Sequence, residues 1–153
     1  MPDNQKTSTS IDSQYRMMLV LWFGFLSSIV MYLLVSLALF RLEGIENRTL
    51  NIFFSAGSAF LVVVSFGVKK IFLSRAEAEQ QVSLVKTGFV LAAALCEAGA
   101  ILGLLDLFVA RNQYYFVLIV FSFIGLLFHF PKRSHLQSAI YRLPGNSSQL
   151  NQE

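Results

Sequence analysis

Four long apolar runs separated by short polar stretches decide what this chain can fold into: Met17–Phe40, Leu50–Val68, Thr87–Ala110 and Asn112–Phe128. The hydrocarbon core of a bilayer is about 30 Å thick and takes about 20 apolar residues in helix, within a range of roughly 17–25. All four runs fall near that length. The fourth is at the short end and is closed by Pro131, which cannot continue a helix ladder. Lipid offers backbone groups no hydrogen-bond partners, so such runs cross as helices, and the alternation of a barrel strand is absent. The expectation is an all-α integral membrane protein, four transmembrane helices in an antiparallel bundle. Composition agrees. The chain is 55% hydrophobic and 14% charged, against about 45–50% apolar for soluble domains, and its charges sit in blocks between the runs.

The membrane domain is expected over residues 15–133, with spans at about 17–40, 50–68, 87–110 and 112–130. Residues 1–14 and 144–153 are polar and are expected to be disordered. The first run exceeds the 7–15 residues of a signal-peptide core and no small-residue cleavage site follows Phe40, so it reads as a retained span. Ser74-Arg75-Ala76-Glu77 matches a capping box, which predicts that the third helix begins near Arg75 and projects out of the membrane. Beyond Pro131, Leu136, Ala139, Ile140 and Leu143 share one helical face, predicting an interfacial helix over 134–143 with Ser134 as its cap.

Basic residues set the orientation. Lys6, Arg16, Lys69, Lys70, Arg75, Lys86, Lys132, Arg133 and Arg142 fall on one side, and Arg41, Arg48 and Arg111 on the other. Nine against three places both termini and the middle connection in the cytoplasm, in an inner or plasma membrane. Tyr15, Tyr114 and Tyr115 then fall at interfaces, where amphipathic rings prefer to sit.

Within these runs one residue stands apart. Glu97 is a lone carboxylate in the apolar stretch Thr87–Leu105. A charge at the bilayer centre costs roughly 2.5–3.5 kcal/mol on insertion scales, so an acid there has a partner or a task. Small residues crowd around it: Ala93, Ala94, Cys96, Ala98, Gly99, Ala100 and Gly103, a composition that lets membrane helices approach closely. Burial among such helices disfavours the ionised carboxylate, which suits Glu97 to take up and release a proton or small cation. The plainer reading is a packing residue that hydrogen-bonds a neighbouring helix through Ser28, Ser58 or Ser65. A weak internal echo pairs Leu26-Ser27-Ser28 with Leu95-Cys96-Glu97, putting Ser28 in the first half where Glu97 stands in the second.

The stretch from Lys86 to Leu104, with Ala94-Leu95-Cys96-Glu97-Ala98 and then Ile101-Leu102-Gly103-Leu104, resembles the carboxylate helix of the proteolipid (c-ring) subunit of rotary ATPases. The likeness extends over spans two and three and the polar segment between them. It implies a hairpin with its loop in the cytoplasm, assembly into a homo-oligomeric ring, and Glu97 as the residue carrying a proton or sodium ion. The alternative is an accessory or scaffold subunit of a larger membrane complex, with Glu97 held by a buried hydrogen bond.

The remaining polar residues suggest less. Asp106, nine residues after Glu97, reads as a solvated helix-end charge beside Arg111, or as a second relay group. His129 reads as an end-of-helix or headgroup contact, since no second ligand lies at metal spacing. Asn47-Arg48-Thr49 and Asn146-Ser147-Ser148 match the short glycosylation pattern. Cys96 is the single cysteine, so no intrachain disulfide forms. No nucleophile elbow, phosphate loop, metal cluster or paired-carboxylate site is present, so neither an enzyme nor a cofactor is expected. Nothing in the basic residues suggests nucleic acid; the bilayer is the expected partner.

Overall fold

The computed structural model describes residues 3–39 and 47–138. These residues form helix α1 (Asp3–Leu39), α2 (Arg48–Glu79), α3 (Val82–Leu105) with a π-helical turn after it (Asp106–Ala110), α4 (Tyr115–Phe128) and a short α5 (Arg133–Ser138). No strand occurs among the described residues. Three segments are long and apolar enough to cross a membrane: Asp12–Ala38, Arg48–Glu79 and Val82–Ala110. α4 is apolar but has only 14 residues, a rise of about 21 Å. The connection at 40–46, with Arg41, lies outside the described residues. So do Ala139, Ile140 and Leu143 of the expected interfacial helix, and the tail at 144–153.

One spacing organises the bundle. Among the buried positions of α3 and its π turn, Val85, Phe89, Ala92, Cys96, Gly99, Gly103, Asp106 and Ala110 follow alternating steps of four and three, with Gly88, Ala93, Ala100 and Leu107 buried beside them. α4 repeats the pattern at Tyr115, Ile119, Ser122, Leu126 and His129. In α2 it runs through Ser58, Val62 and Ser65, the half-buried Lys69 and Phe72, and Ala76. α1 carries it at Met18, Trp22, Phe25, Ile29, Tyr32 and Ser36. A repeat of 3.5 residues per turn keeps one seam facing its partner and gives the left-handed, roughly 20° crossings common in membrane bundles. α3 occupies the centre, packed against α1, α2 and α4.

Close approach in the seam depends on glycine. A Cβ on Gly99 would stand 2.8 Å from Ser122 Oγ and 3.3 Å from Val62 Cγ2. One on Gly125 would stand 2.8 Å from Val62 Cγ1. α1 is tied to α4 by the Trp22 indole, which donates to the Leu126 carbonyl at 3.1 Å. The N-terminal end and the α4–α5 turn lie together, joined by Arg133 with Asp12 at 3.4 Å and by the Arg133 guanidinium 4.8 Å above the Tyr15 ring.

Several boundaries differ from the sequence expectation. α1 continues back to Asp3 through the polar stretch expected to be disordered; no Gly or Pro interrupts it after Pro2. Ser74 and Glu77 do not start a helix. They lie inside α2, which runs on to Glu79 because nothing before Gln80 breaks its ladder. The break comes at Gln80, in the left-handed region at φ 51°, where the N–H groups of Gln80 and Gln81 both donate to the Ala76 carbonyl. α4 starts at Tyr115 instead of Asn112 because the π turn, the left-handed Arg111 (φ 55°) and an Asn112 turn consume the residues between. Tyr115 is buried, while Tyr114 is exposed.

Candidate functional site

Glu97 lies on the face of α3 turned toward α1, half-buried in the groove between the two helices. The Tyr32 hydroxyl of α1 donates to its Oε1 at 3.0 Å. Ser28, one turn earlier on α1, stands beside the same phenol. Among the described residues no Lys, Arg or His forms an ion pair with Glu97. The carboxyl is therefore met by one neutral hydroxyl, that of Tyr32.

Its depth follows from helix register. Ser65 Oγ lies 3.4 Å from Cys96 Sγ, so Glu97 is level with that part of α2. Lys69, which ends the apolar part of α2, is one turn further on, about 6 Å along the axis. Asn51, at the opposite end, is about 21 Å away by the same rise. Glu97 is thus at the middle of its apolar run in sequence but nearer the lysine end of the bundle. The cause is that the start of α3 packs against the polar extension of α2, with Gly88 against Phe72.

Of the supporting groups expected for Glu97, only Ser28 is near it. Ser58 donates instead to the Gly99 carbonyl at 3.0 Å. Ser65 donates to the Val62 carbonyl at 2.6 Å while touching Cys96. Both belong to the α2–α3 seam, on the far side of α3. The packing residues divide accordingly: Ala93, Cys96, Gly99, Ala100 and Gly103 are buried, while Ala94 and Ala98 flank Glu97 half-exposed.

Asp106 is neither solvated nor near Glu97. It is completely buried at the opposite end of α3, where the Asn112 amide donates to its Oδ2 at 2.6 Å and to Asn51 Oδ1 at 3.0 Å. Ser55 donates to the same Asn51 oxygen at 3.1 Å, and Asn47 N–H donates to the Ala110 carbonyl at 2.9 Å. The π turn widens the helix at Asp106 and lets the chain fold back on this carboxylate. π turns of this kind recur at functional sites, but here the donors close the cluster on itself.

His129 is likewise no headgroup contact. Its ring is fully buried at the end of α4, 4.6 Å from the Phe66 ring centroid. Nδ1 lies 2.7 Å from the Gly125 carbonyl, which as an acceptor assigns the proton to Nδ1. Among the described residues no group of three metal-ligating side chains occurs.

Tyr32 is the partner of Glu97 that the sequence pattern did not point to. The available signal was a phenol within an apolar run, since a buried tyrosine hydroxyl usually finds a polar partner. Comparison with protein-family models, with curated proteins and with solved structures gives no match to this chain.

Proposed function

We infer that this chain is a multi-pass membrane protein whose Glu97 carboxyl, held by Tyr32, binds a proton or a small cation. The observation carrying this reading is the Tyr32–Glu97 hydrogen bond at 3.0 Å, on a half-buried carboxyl with no cationic partner among the described residues. An acid among apolar helices is by default a functional candidate. Its position about 6 Å from the level of Lys69 gives it access from that end. The excess of basic residues at that end makes it, with both termini, the cytoplasmic side. α4, extended by the residues around it, serves as a fourth, short crossing. The resemblance of the α2–α3 hairpin to proteolipid subunits supports a homo-oligomer in which several such carboxyls work together.

A second reading has its own support. The Tyr32 hydroxyl also satisfies Glu97 as a packing residue, and large apolar side chains such as Val20, Phe53, Phe60 and Val63 are exposed on α1 and α2. That surface suits an accessory subunit within a larger membrane complex.

Carbodiimide labelling separates the two. A hydrophobic carbodiimide attacks a protonated carboxyl, so Glu97 is expected to be modified, more slowly as pH rises. Mass mapping is expected to find the adduct on Glu97 and to lose it in Glu97→Gln. Absence of labelling at every pH would leave Glu97 a packing residue.

A further inference from the structure

The lysine end of the bundle carries a second feature, independent of Glu97. A groove of about 330 Å³ opens on α2, lined by Phe66, Lys69, Lys70, Leu73, Ser74 and Glu77. Lys69 and Leu73 also border a narrow cleft closed on its far side by Lys132, from the turn after α4. Lys69 lies near enough to Lys132 for their charges to repel. Among the described residues Lys69, Lys70 and Lys132 form no ion pair, whereas the neighbouring Arg133 is taken up by Asp12 and Tyr15. Within the groove Lys69 and Lys70 stand with one acid, Glu77. Lys69 is half-buried where the groove meets this cleft, with Cys96 and His129 close enough to feel its charge.

The groove also sits at a defined depth. If residues 50–68 fill the hydrocarbon, a rise of about 28 Å, then Lys69 and Lys70 fall at the headgroup layer. Residues 71–79 then continue into water. Phe66 faces the acyl side of the groove, and Ser74 offers a hydroxyl on the water side. A ligand matching this gradient is apolar at one end and anionic at the other.

We propose that Lys69 and Lys70, with Lys132 behind them, form a binding site for the phosphate headgroup of an anionic glycerophospholipid. The acyl chains lie along Phe66 and the apolar face of α2. This rests on the reading of α2 as a membrane span and not on any role for Glu97. Lysines near a membrane surface each strengthen attraction to anionic lipid by about fivefold, and a groove that holds two, with Lys132 on the adjoining cleft, turns this general attraction into a site.

The test is native mass spectrometry of the full chain in mild detergent, with phosphatidylglycerol and phosphatidylcholine at equal concentration. Retention of phosphatidylglycerol over phosphatidylcholine is expected. It is expected to fall about fivefold in Lys70→Gln, whose exposed side chain leaves the fold intact, and further in Lys69→Gln/Lys70→Gln. Lys86→Gln, at the same end but outside the groove, is expected to keep the preference. Equal retention of the two lipids, or a preference unchanged in Lys70→Gln and in the double variant, would overturn the site while leaving the membrane reading untouched. Displacement of the lipid by inorganic phosphate alone would overturn the lipid assignment in favour of a free anion.

Discussion

Replacing Gly99 with leucine is expected to loosen the meeting point of three helices. Its Cβ alone would stand 2.8 Å from Ser122 Oγ, 3.3 Å from Val62 Cγ2 and 3.4 Å from the Ser58 carbonyl. The last is backbone and cannot rotate away. The bulk also lands beside the Ser58 hydroxyl, which donates to the Gly99 carbonyl across the α2–α3 seam. Overpacking a tight core costs about 1–3 kcal/mol and sometimes more; Gly99 belongs at the upper end because α2 and α4 press on it together. Unfolding in a detergent titration, followed by circular dichroism, is expected to show a loss of about 3 kcal/mol for Gly99→Leu. Gly67→Leu, where the added Cβ meets nothing within 4 Å, is expected to be near neutral. Equal stability of the two variants would mean that the seam is not packed through Gly99.

Asp106 is expected to matter as much for stability, by a different route. Its carboxylate is completely buried and takes the Asn112 amide at 2.6 Å. Asp106→Ala removes a buried hydrogen bond and strands its donor, a loss of about 1–3 kcal/mol. The loss is expected to concentrate where the π turn meets the start of α2, because Asn112 also bonds Asn51. Asp106→Asn keeps an acceptor oxygen in place and is expected to recover part of the loss. A double-mutant cycle with Asn112→Ala is expected to show a coupling of about 0.5–3 kcal/mol. Additive effects would show that the two side chains do not act as a pair.

The helices were legible in the sequence because each apolar run approaches the length that a bilayer demands. Their ends were not, since they depend on local turn chemistry that competes with pattern. Ser74 to Glu77 fits a capping box, yet α2 passes through it and stops only where Gln80 turns left-handed. The crowd of small residues around Glu97 correctly marked α3 as a closely packed helix. Composition alone did not say which residues face α2 and which face α1. The steps of four and three through Ala92, Cys96, Gly99 and Gly103, matched by Ser122 and His129 on α4, carried that information. Ser58 and Ser65 fall on that seam and Glu97 does not, which is why neither serine reaches it. Asp106 escaped because its burial depends on the π turn that begins there and folds Asn112 back onto it, and nothing in the apolar pattern marks that turn.

The most direct test of Glu97 as a proton-binding carboxyl is infrared spectroscopy of the protein in lipid, following the C=O stretch of a protonated carboxyl as pH is varied. A band is expected that fades reversibly as pH rises, is missing in Glu97→Gln, and shifts in Tyr32→Phe because the hydroxyl that bonds Oε1 is gone. A difference spectrum between wild type and Glu97→Gln with no pH-dependent carboxyl band, over the whole range in which the protein stays folded, would contradict it.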